Sequence, residues 1–312
     1  MKRILVTGGT GFLGKNVVKL LKTKKFDVYS CSRKEGTDIL DYKSFKEFVK
    51  KIKPEVLIHC AAHVGGIAYN ALHPVEVFED NVGIGLNVVK VCNEVGVNHV
   101  INIMPNCVYP GHLTEYEESK FWDGPIHDSV LTYGLPRKMF WGACFAYCQK
   151  NKAFKPIHLV FPNMYGPNDP FEIIRSHALG ALIVKIVDAK DKNKKIVEIW
   201  GTGKPVREWI YVEDSAEAIL KTLENSEKFS PNEIMNIGVR KGISIKDLAF
   251  MIKETAGWEG DFVFKTEMHD GAMKKILVAE KMKEKLSWEP TTKLEDGIKK
   301  TVEWYKKNKK NL

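Results

Sequence analysis

A short apolar run, Arg3-Ile4-Leu5-Val6, leads into Thr7-Gly8-Gly9-Thr10-Gly11-Phe12-Leu13-Gly14, and an amphipathic stretch follows from Lys15 to Lys24 with Val17, Val18, Leu20 and Leu21 on one side. A strand, a glycine loop and a helix in that order restrict the fold more than any other feature of the chain. Glycines at 8, 11 and 14 let the backbone turn tightly, let the helix pack close to the strand, and leave room for an anionic group at the helix N-terminus. Glycine loops also serve as plain turns. Placement between the first strand and the first helix points instead to a dinucleotide site, contacted by Gly8, Gly11, Phe12, Leu13 and Gly14.

The alternation continues. Asp27-Val28-Tyr29-Ser30, Val56-Leu57-Ile58-His59 and His99-Val100-Ile101-Asn102 read as strands, with helical stretches over 42–52 and 74–95. Repeated strand–helix units imply an α/β, Rossmann-type doubly wound parallel sheet covered on both faces. The rhythm breaks after about residue 165. There, Ile196-Val197-Glu198-Ile199-Trp200 and Glu208-Trp209-Ile210-Tyr211-Val212 flank a Gly-Thr-Gly-Lys-Pro turn and read as a hairpin, and helices follow from Asp214 and Ser244. The expected division is a Rossmann domain over 1–164, completed by a return segment over 212–238, and a second, smaller α/β substrate domain over 165–312.

Composition narrows the partners. The net charge of +9, from 48 Lys and Arg against 39 Asp and Glu among 312 residues, suits an anionic ligand. It is spread along the chain rather than gathered in one stripe, so no nucleic-acid partner is expected. The surplus in Lys306-Lys307-Asn308-Lys309-Lys310 reads as a solvated helix end. The N-terminal apolar run is too short for a signal-peptide core or a membrane span, so a cytoplasmic protein without a membrane partner is expected. Six cysteines (Cys31, Cys60, Cys92, Cys107, Cys144, Cys148) form no C-x-x-C pair, and neither a disulfide framework nor a metal site is expected.

The G-x-x-G-x-x-G spacing resembles the extended class of short-chain dehydrogenase/reductases. Ser32-Arg33-Lys34 follows the second strand where an acidic residue would hold the ribose of NAD, so Arg33 and Lys34 point to NADP in preference to NAD. Asp38 and Ile39 match the position that contacts adenine, and Ala61 and Ala62 the strand end that lines the cofactor. Further blocks resemble the GDP-L-fucose synthases, which epimerise GDP-4-keto-6-deoxymannose at two carbons and then reduce its ketone with NADPH. These are Ala61-Ala62-His63-Val64-Gly65-Gly66-Ile67, Asn106-Cys107-Val108-Tyr109-Pro110, Pro162-Asn163-Met164-Tyr165-Gly166-Pro167-Asn168-Asp169, Ser176-His177, Trp200-Gly201-Thr202-Gly203-Lys204-Pro205-Val206-Arg207-Glu208 and Asn236-Ile237-Gly238.

Epimerisation beside a ketone needs one group to remove a proton and another to return it on the opposite face. The resemblance implies Cys107 as base, its thiolate formed beside cationic groups, and His177 as acid; taken singly, each reads more often as structural, the Cys as a core residue and the His as one that satisfies a backbone group. Reduction needs a proton donor for the developing alkoxide, and Tyr133 matches it. The superfamily carries Lys four residues after that Tyr, but here Arg137 stands there and Lys138 comes one later, turned about a third of a helical turn away. Pro105 stands where the family has a hydroxyl, which leaves Asn106 as the nearest polar side chain. Pro162 and Asn163 are carried over as cofactor contacts, and Asn163, Lys185, Trp200 and Arg207 as substrate contacts; for Trp200 the alternative is packing against the hairpin. Met268 falls where some members carry a phosphate-binding Lys. A homodimer is implied, through 75–94 and 137–150.

The expected function is that of an NADP-dependent epimerase/reductase acting on a nucleotide-diphospho-sugar. The alternatives are an epimerase alone, an oxidoreductase of altered specificity, or a cofactor-binding partner protein without chemistry.

Overall fold

Ile4, Leu5 and Val6 are all completely buried although successive strand residues face opposite ways, so their strand is covered on both sides. The computed structural model describes residues 2–173, 175–268 and 270–311. In chain order its first elements are β1 (Arg3–Thr7), α1 (Phe12–Thr23), β2 (Asp27–Cys31), α2 (Tyr42–Ile52), β3 (Val56–His59), α3 (Ile67–Leu72), α4 (Pro74–Val95), β4 (His99–Pro105), β5 (Glu115–Tyr116), α5 (Leu131–Lys150), β6 (Lys155–Phe161) and β7 (Asn163–Tyr165). They continue as α6 (Ala178–Asp191), β8 (Ile196–Trp200), β9 (Val206–Tyr211), α7 (Val212–Glu224), β10 (Glu233–Asn236), β11 (Gly242–Ser244), α8 (Ile245–Ala256), β12 (Asp261–Lys265), β13 (Lys274–Leu277), α9 (Glu280–Leu286) and α10 (Leu294–Asn308).

The main sheet has the order β2-β1-β3-β4-β6-β10, and every neighbouring pair is parallel. Side chains of one parity, such as Ile4, Val6 and Ile58, pack against Val17 and Leu21 of α1 and Ile219 and Leu223 of α7. Those of the other parity, Leu5 and Leu57, meet Phe45, Val88, Val89 and Phe140 from α2, α4 and α5. This is the expected doubly wound Rossmann-type sheet. The strand order reverses between β1 and β3, and in such sheets ligands bind beyond the strand C-termini at that reversal.

A second core lies in the other lobe, where Leu182 and Ile186 of α6, Leu248 and Ile252 of α8, and Ile298 and Val302 of α10 pack together. The expected hairpin over 196–212 does not form. β8 pairs in parallel with β12, while β9 lies between β11 and β13 in a different sheet. The intervening turn is fastened from elsewhere in the chain: the Asp270 carboxylate accepts from the Thr202 amide (2.7 Å) and hydroxyl (2.6 Å), with Gly201 and Gly203 at φ of 79° and 73°. Trp200 is accordingly 59% exposed, so packing in a hairpin core is excluded.

Glu208 of β9 joins the two lobes. Its fully buried carboxyl accepts from the amides of Val239 (2.6 Å) and Arg240 (2.8 Å), just beyond β10, and of Leu277 (2.7 Å) in β13. Burial pushes this carboxyl up to about 7 against the pull of those three donors. Next to it, the Asn163 side-chain amide donates to the Glu208 carbonyl at 3.2 Å.

Candidate active site

A cleft of about 430 Å³ opens at the C-terminal ends of β1, β3 and β4. Gly8, Gly11, Phe12, Leu13 and Gly14 form one wall. Gly8 has φ +69°, and a Cβ there would lie 2.9 Å from the Ala61 backbone. A Cβ on Gly14 would strike the Gly8 carbonyl, so this glycine sets how closely α1 approaches the loop. The first turn of α1 holds no acidic residue, and its N-cap, Gly11, offers no side chain to the helix amides. Unsatisfied N–H groups at a helix start suit an anionic oxygen.

Ser32, Arg33, Lys34, Asp38 and Ile39 line one end of the cleft. A neighbouring acid missed in the sequence, Glu35, is occupied: its carboxylate accepts from the Ser30 (2.6 Å) and Ser32 (2.8 Å) hydroxyls. Neither Arg33 nor Lys34 has an ion-pair partner among the described residues, so both cations are available to a ligand.

Ala61, Ala62, Pro105, Asn106, Tyr133, Arg137, Pro162, Asn163 and His177 line the rest. Tyr133 and Arg137 lie four residues apart on α5, hence on one face. Burial raises the Tyr133 phenol to about 12 while the Arg137 charge pulls it down. Lys138 turns away as the helical step requires: its ammonium donates to the Phe121 carbonyl at 2.5 Å and lies over the Trp122 ring. Pro105 ends β4, and Asn106 beside it is buried with its side-chain NH₂ unpartnered among the described residues. A buried donor without a partner costs about 1–3 kcal/mol unless something else satisfies it, and this one borders the cleft.

Cys107 lies behind Asn106, packed with Ile126, Val130 and Tyr133 and 8% exposed. Burial pushes its thiol up to about 11, although the charges of Lys275 and Arg137 oppose the rise. The thiolate expected from neighbouring cations is therefore not the resting form, because desolvation outweighs them. Lys275 carried no signal of its own in the sequence. It alternates along β13 with Lys274, whose ammonium is taken by Glu115 at 2.6 Å. His177 is the N-cap of α6, and burial lowers its pKa, so its imidazole is neutral near pH 7.

Other polar groups at the cleft were missed in the sequence. Asp169 is 4% exposed, with one carboxyl oxygen unpartnered among the described residues, and burial raises its pKa well above the ordinary value. Asp80 bonds His63 Nδ1 at 2.8 Å, and His63 Nε2 meets the Tyr69 hydroxyl at 2.9 Å. The Arg175 guanidinium covers the Tyr69 ring, and the Arg175 carbonyl accepts from the Gly66 amide at 3.1 Å, which joins the two lips.

Lys185, Trp200 and Arg207 do not line this cleft. The Lys185 ammonium bonds the Glu198 carbonyl (3.0 Å) and lies 5.6 Å from the Trp200 ring centre, which makes a half-open cation–aromatic surface on the second lobe. Arg207 is half-buried, and burial lowers its pKa against the opposing influence of Tyr116 and Asp270. Met268 is 42% exposed.

The model of the NAD dependent epimerase/dehydratase family matches residues 4–238. The chain belongs to that family. Among curated members, the GDP-L-fucose synthase of Dictyostelium discoideum is 33% identical over 307 residues, covering 97% of this chain and 95% of its own. Two solved structures extend the likeness to the fold. A GDP-6-OMe-4-keto-L-xylo-heptose reductase from C. jejuni superposes with a TM-score of 0.90 at 27% identity, covering 98% of both chains. A GDP-L-fucose synthetase from Naegleria fowleri bound to NADP gives 0.87 at 30% identity, covering 99% of this chain and 94% of its own. Among the described residues, family membership is accompanied by no cluster of three or more metal-ligating side chains and no helix long and apolar enough to cross a membrane.

Proposed function

We propose that the chain is an NADPH-dependent epimerase/reductase of a GDP-4-keto-6-deoxy-hexose or a related GDP-sugar. One observation carries this reading: the glycine-loop cradle, a cationic end, and Tyr133, Arg137, Asn106 and His177 converge on a single cleft. The residues fit the dinucleotide, because a Cβ would fill the space left at Gly8 and Gly14, the start of α1 has no side-chain cap, and Arg33 and Lys34 have no ion-pair partner among the described residues. Bound there, NADPH supplies a hydride to the ketone carbon.

The remaining work falls to the protein. Tyr133 gives its proton to the developing alkoxide, Arg137 stabilises the phenolate left behind, and the Asn106 NH₂ takes the place of the absent hydroxyl donor. Cys107, in the thiolate form that is its minor form at neutral pH, removes the proton beside the ketone and becomes the thiol, and His177, in its imidazolium form, returns a proton to the other face and becomes neutral. The nucleotide extends from Asn163 toward Trp200, Lys185 and Arg207, where a guanidinium can pair with a diphosphate. Epimerisation without reduction is the second reading, favoured by Pro105, which has neither hydroxyl nor N–H.

Incubation with GDP-4-keto-6-deoxymannose in D₂O, with and without NADPH, tests the assignment. Deuterium at the carbons flanking the ketone together with NADPH oxidation supports both halves. Deuterium without oxidation leaves the epimerase alone, and neither signal removes the substrate assignment. For cofactor choice, replacing both Arg33 and Lys34 by Ser is expected to weaken NADPH at least tenfold and leave NADH within about twofold by calorimetry, since two charge-assisted contacts to the extra phosphate are lost. Equal weakening of both would remove the assignment of these cations.

A homodimer through α4 and α5 is part of the same proposal. Leu131, Leu135 and Met139 form an exposed stripe at four-residue spacing, with Phe145 and, on α4, Leu86 also exposed. A monomer in sedimentation equilibrium at micromolar concentration would exclude it.

A further inference from the structure

Three strand residues that the function has not used lie in one row across the main sheet. The pairing register sets His59 of β3 beside Asn102 of β4, and Asn102 beside His158 of β6. All three are completely buried among apolar strand residues. The row converges on one side chain. Arg137 Nη1 lies 3.4 Å from His59 Nε2 and from the Ala61 carbonyl, while Nη2 lies 3.3 Å from Asn102 Oδ1 and also bonds the Ile103 carbonyl.

A guanidinium only donates, which fixes the polarity of the chain. His59 Nε2 must accept, so its Nδ1–H donates to Thr7 Oγ1 at 2.9 Å. Asn102 turns its oxygen to Arg137 and its NH₂ to His158 Nδ1 (3.0 Å), and His158 Nε2–H donates to Asn232 Oδ1 (2.7 Å). Burial and the Arg137 charge both depress the two imidazoles, so the row is neutral at pH 7. Among the described residues no carboxylate lies within 4 Å of the guanidinium.

A fully buried arginine is ordinarily paired, because an ionised group out of water is expensive and an opposite charge offsets that cost. Here carbonyl dipoles, one amide and one imidazole solvate the cation and none cancels it. We propose that His59, Asn102 and His158 are positioning residues that hold the Arg137 guanidinium by neutral acceptors alone, so that its whole positive charge acts on Tyr133 and on the reduced, neutral nicotinamide ring in preference to the oxidised cation. This deepens the functional reading above and rests on it. A carboxylate in place of Asn102 would hold the same geometry once His158 takes its other tautomer, with Nδ1–H donating to the new oxygen and Nε2 accepting from the Asn232 side-chain amide, and it would abolish the effect.

Asn102→Asp is the deciding variant, because it keeps the oxygen that Arg137 uses and adds the missing negative charge; Asn102→Ser keeps a neutral acceptor. Calorimetry with NADPH and NADP⁺ needs no sugar substrate. The expected result is that Asn102→Asp changes the ratio of the two dissociation constants by about tenfold in favour of NADP⁺, the effect of one opposite charge beside an ionised site, whereas Asn102→Ser stays within about twofold of the parent ratio. NADPH oxidation by Asn102→Asp should fall in kcat by a similar factor with KM for the sugar nearly unchanged, and Asn102→Ser should recover it. An unchanged ratio in Asn102→Asp, with both forms still binding, overturns the proposal and leaves the cofactor assignment standing. Failure of the parent protein to bind either form overturns both.

Discussion

Replacing Asn106 by Ala is expected to lower NADPH oxidation at least about 100-fold in kcat and to slow deuterium uptake beside the ketone as well, because the enolate puts its charge on the same oxygen. The side-chain NH₂ of Asn106 is buried, without a partner among the described residues, and at the wall of the cleft next to Pro105, which itself can donate nothing. A preorganised donor that meets charge only as it develops on the substrate oxygen contributes on the order of 100- to 1000-fold to rate. Tyr133→Phe should give a loss of the same order, since the phenol is the proton source. The two losses should not multiply in the double variant, because both groups serve one oxygen. Were Asn106→Ala to reduce the ketone at the parent rate, its NH₂ would be structural and the oxyanion would need another donor. Stopped-flow absorbance at the NADPH band, read beside mass-spectrometric deuterium counting, separates these outcomes.

Cys107→Ser is expected to abolish deuterium uptake, by about 1000-fold or more, because a serine hydroxyl at this buried position is a far weaker base than a thiolate. The pH dependence provides a second reading of the same residue. Burial holds the thiol near 11, so the reactive thiolate is the minor form at neutral pH, and its fraction grows about tenfold with each unit between pH 6 and 9. Proton removal and return through Cys107 alone, which suffice for deuterium uptake, should therefore climb with alkalinity across that range, whereas inversion, which also needs the His177 imidazolium, should stay level. If His177 were the base instead, its lowered pKa would give a rate that rises below pH 6.5 and is level above it. Lys275→Met should depress exchange further, since Lys275 is the leading cation that pulls the thiol down.

Much of the fold was readable from local pattern. The glycine loop, the parallel alternation and the helices over 42–52 and 74–95 all follow from periodicity and turn chemistry, which act over neighbouring residues. The hairpin error has the opposite origin. Two β-branched runs around Gly-Thr-Gly look alike whether they pair with each other or with distant strands, and the deciding hydrogen bonds come from Asp270, almost seventy residues further on. Within the cleft, Tyr133, Asn106 and His177 were named from the sequence and line its wall, whereas Cys107 lies behind it and Lys185, Trp200 and Arg207 lie elsewhere on the second lobe. The environment of these residues was not readable. That Cys107 keeps its proton depends on burial, and the row beneath Arg137 depends on register between strands about forty and sixty residues apart. A faint signal did exist, since His59, Asn102 and His158 each stand between or beside apolar residues within β3, β4 and β6.

The order of the main sheet also bears on how the molecule comes apart. Its outer strand β10 follows β7, β8 and β9 in the chain, so the Rossmann sheet is finished only after much of the other lobe has been laid down. A fragment stopped near residue 165 would leave the backbone of β6 as a bare edge, which invites pairing with other chains. Glu208 strengthens this interdependence by bonding amides just past β10 and in β13 at once. The expected consequence is that loss of either core carries the other with it, read as coincident unfolding transitions by far- and near-ultraviolet circular dichroism.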